Sequence, residues 1–105
     1  MKYTHRLRRN MQIAKIRSYV GFAVKAGKAK IGVDNIISAK KTPYVILYDE
    51  RLSQNSKEKL FRKCADKKIF PVSMEEVFPN KNCLAIGIAE VNLAGAISKE
   101  MEEIL

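Results

Sequence analysis

The run Tyr44-Val45-Ile46-Leu47-Tyr48 places the tightest constraint on the fold, because it is β-branched, aliphatic or aromatic throughout and shows no polar alternation. A strand with one face in water alternates apolar and polar side chains, so a strand that does not alternate is covered on both faces. Leu84 to Glu90 is a second apolar strand segment. The segments around these two carry helical spacing, which puts helices on both sides of a sheet. The fold class expected is α/β, a three-layer α-β-α sandwich around a central mixed sheet of about four strands.

Periodicity places the remaining elements. Ile13, Ile16, Val20, Ala23 and Val24 recur at helical spacing between Met11 and Ala26, and Gly27 suits the stop position. Phe22 lies off that stripe and is expected to pack on a neighbouring helix. A short Lys28 to Ile31 segment leads to Gly32-Val33-Asp34-Asn35, which has turn and N-cap chemistry, and then to a brief helix with Ile36, Ile37 and Ala39 that closes at Thr42-Pro43. Ser53 to Lys68 reads as an exposed helix with a narrow Leu60, Phe61, Cys64, Ala65 face. Ile69 to Val72 reads as an edge strand, because its proline cannot donate to a ladder. Ser73 and Glu76 match a capping box for a short helix ending at Pro79. Leu93, Ile97, Met101 and Ile104 mark a final amphipathic helix.

A chain of 105 residues with 47% hydrophobic content forms one domain with a real core. The expected organisation is a flexible basic arm over residues 1–10 and a single α-β-α domain over residues 11–105. The longest apolar runs fall far short of the ~20 residues that span a bilayer, and no apolar segment follows the basic N-terminus as in a signal peptide. No membrane partner and a cytoplasmic location are expected. Cys64 and Cys83 lack zinc-ligand spacing, and Cys64 reads as a small buried hydrophobe. The one histidine, His5, has no carboxylate or nucleophile near it in sequence, and Gly27-Lys28 with Gly32 does not make a Walker loop. No catalytic set, metal, cofactor or small-molecule substrate is expected.

Charge speaks more directly of partners. Of 20 basic and 11 acidic residues, nine basic and no acidic ones fall in residues 1–33, leaving a segment with eleven of each. Such one-sided charge steers a polyanion to one end of a molecule. Gly27-Lys28-Ala29-Lys30-Ile31-Gly32 delivers two lysines into a helix start, where backbone N–H groups can meet phosphate and the short Asp34 and Asn35 side chains can reach base edges. The same residues also fit a plain helix cap with solvated lysines, and spacing does not separate the two readings.

Tyr19-Val20-Gly21-Phe22-Ala23-Val24-Lys25-Ala26-Gly27-Lys28, then Gly32, Tyr44 to Leu47 and Asn55-Ser56-Lys57, resemble the ribosomal L-seven-Ae and L-thirty-e superfamily, with the likeness running from about Ile16 to Ile97. The resemblance implies an α-β-α sandwich that binds kinked RNA through the N-terminus of its second helix and a loop after its third strand. Members that recognise kink-turns show glycine, then Asn-Glu two and three residues on, and lysine six residues on. This chain has Gly32, Asp34, Asn35 and Ser38 at those places, so a phosphate-binding lysine is lost and a carboxylate is added. The second region corresponds to Val72 to Glu76, including Ser73 and Met74, where Glu75 and Glu76 are unfavourable for RNA.

The reading that follows is a non-catalytic RNA-binding protein, ribosomal or ribosome-associated, whose partners are structured RNA and ribosomal proteins. Its expected RNA contacts are Arg6, Arg8, Arg9, Lys25, Gly27, Lys28, Lys30, Gly32, Asp34, Asn35, Ser38, Ser73 and Met74. The rival is a protein-interaction or regulatory module that meets another subunit through Glu100, Glu102 and Glu103 or through a Met101, Ile104, Leu105 stripe.

Overall fold

The computed structural model describes residues 5–74, 76–78 and 82–104, with side chains from Leu7 onward. Its elements run α1 (His5–Lys25), β1 (Ala29–Ile31), α2 (Val33–Ser38), β2 (Val45–Tyr48), α3 (Gln54–Asp66), β3 (Val72–Ser73), β4 (Ala85–Ile88) and α4 (Val91–Ile104). The sheet order is β1-β4-β2-β3. Strand β4 is antiparallel to both β1 and β2, while β3 runs parallel to β2 at the edge.

Alternation along the two central strands sorts the core into two halves. Val45 and Leu47 of β2 with Ile86 and Ile88 of β4 face α1 and α4, where Ile13, Ile16, Val20, Ala23, Ala94, Ile97 and Met101 meet them. Ile46 and Ala85 point to the other face, against Ile36 of α2 and Leu60 and Cys64 of α3. This is the expected three-layer arrangement with a mixed four-stranded sheet. Both cysteines are buried, which pushes both thiols up from their ordinary values and away from the reactive thiolate.

Local chemistry explains three of the helix ends. Gly27, at φ 70°, lets Lys28 N–H reach the Ala23 carbonyl (2.8 Å) and Gly27 N–H reach that of Val24 (3.1 Å), a Schellman closure of α1. The Ser53 hydroxyl accepts from Ser56 N–H (3.1 Å) and caps α3. A Glu90 carboxylate oxygen accepts from Leu93 N–H (2.6 Å) at the start of α4, and that backbone bond is the main reason the Glu90 carboxyl titrates below its ordinary range.

Five expectations need correction. The edge strand expected over Ile69 to Val72 is Val72–Ser73, because Ile69 N–H is drawn back to the Cys64 carbonyl (2.9 Å) at the end of α3. The arm boundary at residue 10 gives way to a helix that begins at His5, so Arg6, Arg8 and Arg9 lie on α1; residues 1–4 are outside the described residues. Tertiary partners hold this extension, since Arg9 donates to Glu76 (2.7 Å), Gln12 donates to Glu103 and Arg17 donates to the Glu76 carbonyl (2.6 and 2.9 Å). Phe22 joins neither core cluster: α1 uses its Ile16, Val20, Ala23 side for the core, and Phe22 is 57% exposed. The capping box at Ser73 does not start a helix, because Ser73 is in β3 and Glu76-Val77 form a turn; Glu75 and Pro79 fall outside the described residues. Met101 is buried between α1 and α4, and Ile104 packs against the same cluster, so the stripe considered for a second subunit is used inside the chain, with Leu105 outside the described residues.

Two contacts carry measurable weight. A Cβ added at Gly87 would stand 2.6 Å from Cγ and 2.9 Å from Cβ of Pro43, a fully buried proline. Gly87→Ala is expected to cost about 1–3 kcal/mol through overpacking, lowering the melting temperature by roughly 4 °C or more; calorimetry checks this. The fully buried Asp49 carboxylate accepts from Arg51 N–H (2.8 Å), Nε (3.1 Å) and Nη2 (2.8 Å). These bonds from Arg51 outweigh burial and hold its pKa below the usual value. Because the folded pKa is the lower one, the stabilisation is complete above the unfolded carboxylate value of about 4 and declines as pH falls through the folded one. Urea titrations should show Asp49→Asn destabilised at pH 7 by about 1–3 kcal/mol, with the difference from the wild type shrinking as pH falls below about 4.

Candidate nucleic-acid interface

Helix α1 is 21 residues long, so its ends are about 30 Å apart at 1.5 Å per residue. The expected cations therefore form two groups. Arg8 and Arg9 lie at the N-terminal end, together with the backbone of Arg6. Lys25, Gly27 and Lys28 lie at the C-terminal end, next to β1 and Lys30.

The N-terminal group is partly committed to the fold. Arg9 pairs with Glu76, and its guanidinium is the main cause holding the Glu76 carboxyl below the ordinary range, with Arg17 adding to the effect. Glu76, unfavourable for RNA by sequence, is therefore largely neutralised within the chain. Arg9, Glu50, Ser73, Met74 and Glu76 line a cleft of about 330 Å³ here. Ser73 is exposed, whereas Met74, although it borders the cleft, is 4% exposed and packs its side chain in the core cluster. That corrects its place among the expected contacts: the β3 register with β2 turns Met74 inward, and its N–H donates to the Tyr48 carbonyl (2.9 Å).

The C-terminal group opens onto α2. Gly32 adopts φ 92° and ψ 151°, where only glycine is at ease, while nothing lies within 4 Å of a Cβ added there. Glycine is required by torsion, not by space. The sharp corner sends β1 directly into α2, with Gly32 N–H donating to the Ala85 carbonyl (2.9 Å) and its own carbonyl accepting from Ile36 N–H (3.1 Å). Exposed Asn35 donates through Nδ2 to the Ile31 carbonyl (2.7 Å), so half of its amide is occupied by the fold.

Helix α2 divides the expected residues. Lys30, Asn35 and Ser38 converge with Ala29, Ile31, Ala39 and Lys40 on one shallow polar cleft of about 440 Å³, with no carboxylate in its lining. Asp34 lies on the other flank, in a groove of about 400 Å³ shared with Ile37, Lys59, Arg62, Lys63 and Asp66. The carboxylate that was expected to repel RNA is thus outside the polar cleft. Lys28 stands near Glu90 and contributes to that residue's lowered pKa, whereas the side chains of Lys25, Lys30 and Lys40 have no ion-pair partner among the described residues.

Sequence reasoning did not single out Lys40, or Lys59, Arg62 and Lys63 of α3. The signal was present: residues 57–68 hold six basic and two acidic side chains. Summing all charge after Val33 to zero concealed it. Among the described residues no cluster of His, Cys, Asp and Glu is placed to hold a metal, and no helix is long and apolar enough to cross a membrane.

No protein-family model and no curated protein matches this chain. A solved structure of a protein of unknown function from Bacillus halodurans superposes with a TM-score of 0.74 at 16% identity, covering 85% of this chain and 98% of that one. At that identity the likeness establishes the fold alone.

Gly32 offers a direct check on how the cleft is built. Its φ and ψ lie in a region essentially reserved for glycine, so Gly32→Ala and Gly32→Asn are both expected to destabilise by about 1–3 kcal/mol. Asparagine should give no rescue, in contrast to an ordinary left-handed position, and denaturant midpoints measure both.

Proposed function

We propose that this chain is a non-catalytic, cytoplasmic RNA-binding protein, ribosomal or ribosome-associated, that holds the backbone of structured RNA across the β1–α2 cleft. The observation that carries this reading is the convergence of Lys30, Asn35, Ser38 and Lys40 on a polar surface free of acidic side chains. Lys25 and Lys28, exposed at the Schellman turn, extend the positive surface toward α1. Phosphate contacts of this kind position a nucleic acid without reading its sequence, which suits a protein that lacks the kink-turn pattern at Asp34, Asn35 and Ser38. The resemblance to the L-seven-Ae and L-thirty-e superfamily supports the same face. With its amide donor engaged by Ile31, Asn35 retains its carbonyl oxygen for a base or a ribose 2′-hydroxyl.

Fluorescence-anisotropy titration of a labelled kink-turn RNA and an unkinked duplex of equal length, at several salt concentrations, tests the reading. Comparable affinities that fall steeply with salt are expected. Lys30→Ala/Lys40→Ala should weaken both RNAs alike and reduce the slope of log K against log salt by about two units. Binding that ignores salt, or that survives the double substitution unchanged, would overturn the proposal.

A further inference from the structure

The opposite end of the α2–α3 layer carries a surface of different chemistry. Phe70 is 89% exposed, more than any other phenylalanine or tyrosine among the described residues. It borders an apolar groove of about 300 Å³ whose walls are Tyr48, Phe61, Cys64, Ala65, Ile69 and Pro71. Phe61 is fixed in place by edge-to-face contact with Tyr48, with centroids 5.2 Å apart and planes at 73°.

The end of α3 explains how this groove arises. Ile69 N–H donates to the Cys64 carbonyl (2.9 Å) and Lys68 N–H to that of Ala65 (3.2 Å), a closure that places Lys68 at φ 58°. Ile69 is thereby drawn against the α2–α3 core cluster while Phe70 stays in solvent. The exposed cations Lys67 and Lys68 immediately precede the groove residues Ile69 and Phe70, and exposed Arg62 follows Phe61.

We propose that this groove stacks unpaired bases of an RNA strand whose phosphates lie on the cations of α3. Three observations select that occupant. The lining offers aromatic faces and no carboxylate, which suits a flat, uncharged ring. Residues 57–68 around it carry six basic and two acidic side chains, which complements a polyanion and opposes a second copy of the same surface. The charges also lead toward the β1–α2 cleft: Lys59, Arg62 and Lys63, against Asp34 and Asp66, give the groove between α2 and α3 a net positive lining. The cleft is lined by β1, and Pro71 of the groove directly precedes β3; these two edges of the four-stranded sheet stand roughly 14 Å apart at strand spacing, a separation on the scale of a few nucleotides of one RNA. The inference takes RNA as the partner from the function proposed above but assigns it a separate surface.

The test compares a labelled hairpin RNA with the same hairpin bearing a six-nucleotide single-stranded tail. The wild type is expected to bind the tailed form about tenfold more tightly, within the range of stacking one base on an aromatic side chain. Phe70→Ala, which removes no core contact, should abolish the advantage of the tail and leave affinity for the blunt hairpin unchanged. Lys30→Ala/Lys40→Ala should weaken both forms and preserve the ratio. The chain has no tryptophan, so Phe70→Trp adds a reporter whose fluorescence the tail should quench. Binding of the tailed RNA alone would uphold the groove while removing the cleft. A tail that confers no advantage, or an advantage that survives Phe70→Ala, would overturn the inference. So would concentration-dependent self-association that Phe70→Ala abolishes, which would assign the groove to a second copy.

Discussion

Strand β4 has neither a free edge nor a free face, and the rest of the molecule is arranged around it. It bonds β1 on one side and β2 on the other, and all four of its residues are buried. Ile86 and Ile88 fill the α1–α4 half of the core, so the opposite side of the strand must accept the α2–β2 connection at very short range. Gly87 allows this, because Pro43 occupies the space of its missing side chain. Pro43 ends the link that carries Lys40, and Gly32, bonded to Ala85 of β4, begins the helix that carries Asn35 and Ser38. Both walls of the β1–α2 cleft are therefore anchored on one strand.

The distribution of carboxylates gives the surface its sign. Asp49 is enclosed by Arg51, Glu50 pairs with Lys57 and Glu76 with Arg9. Glu90 receives the N-terminus of α4, and Glu103 accepts from Gln12. These five of the eleven acids after Val33 are engaged within the fold, while Lys30 and Lys40 line a cleft without acids and Lys59, Arg62 and Lys63 line a groove where they outnumber Asp34 and Asp66. A charge count along the chain weighs a paired carboxylate and an open lysine equally, although an approaching polyanion does not.

How much of this was legible in the sequence varied with the range of the interaction involved. Tyr44 to Tyr48 announced a doubly covered strand because burial on two faces removes alternation, and the α1 and α4 stripes followed from helical spacing. Gly27 and Ser53 were readable as helix ends, since their effects are local. The first turns of α1 were not readable: no acid marks them and no apolar stripe reaches them, and they are held through Arg9 and Gln12 by Glu76 and Glu103, which lie 67 and 91 residues away from those partners. Met74 was placed among the contacts from a sequence correspondence, but the register between β2 and β3 turns its side chain into the core.

By itself, the sequence determined the fold class, the order of the main helices and strands, and the excess of positive charge at the N-terminal third. Each of these depends on residue type or on spacing within one element, where the α and β periods leave distinct patterns. Only the tertiary structure decided which charges share a surface. Sheet order set β1 and β3 at opposite edges, and six-residue α2 put Asp34 on one flank with Asn35 and Ser38 on the other. It also gathered Tyr48, Phe61 and Phe70 from three separate segments into one groove. Such juxtapositions come from packing between elements distant in the chain, and no periodicity within a single segment records them.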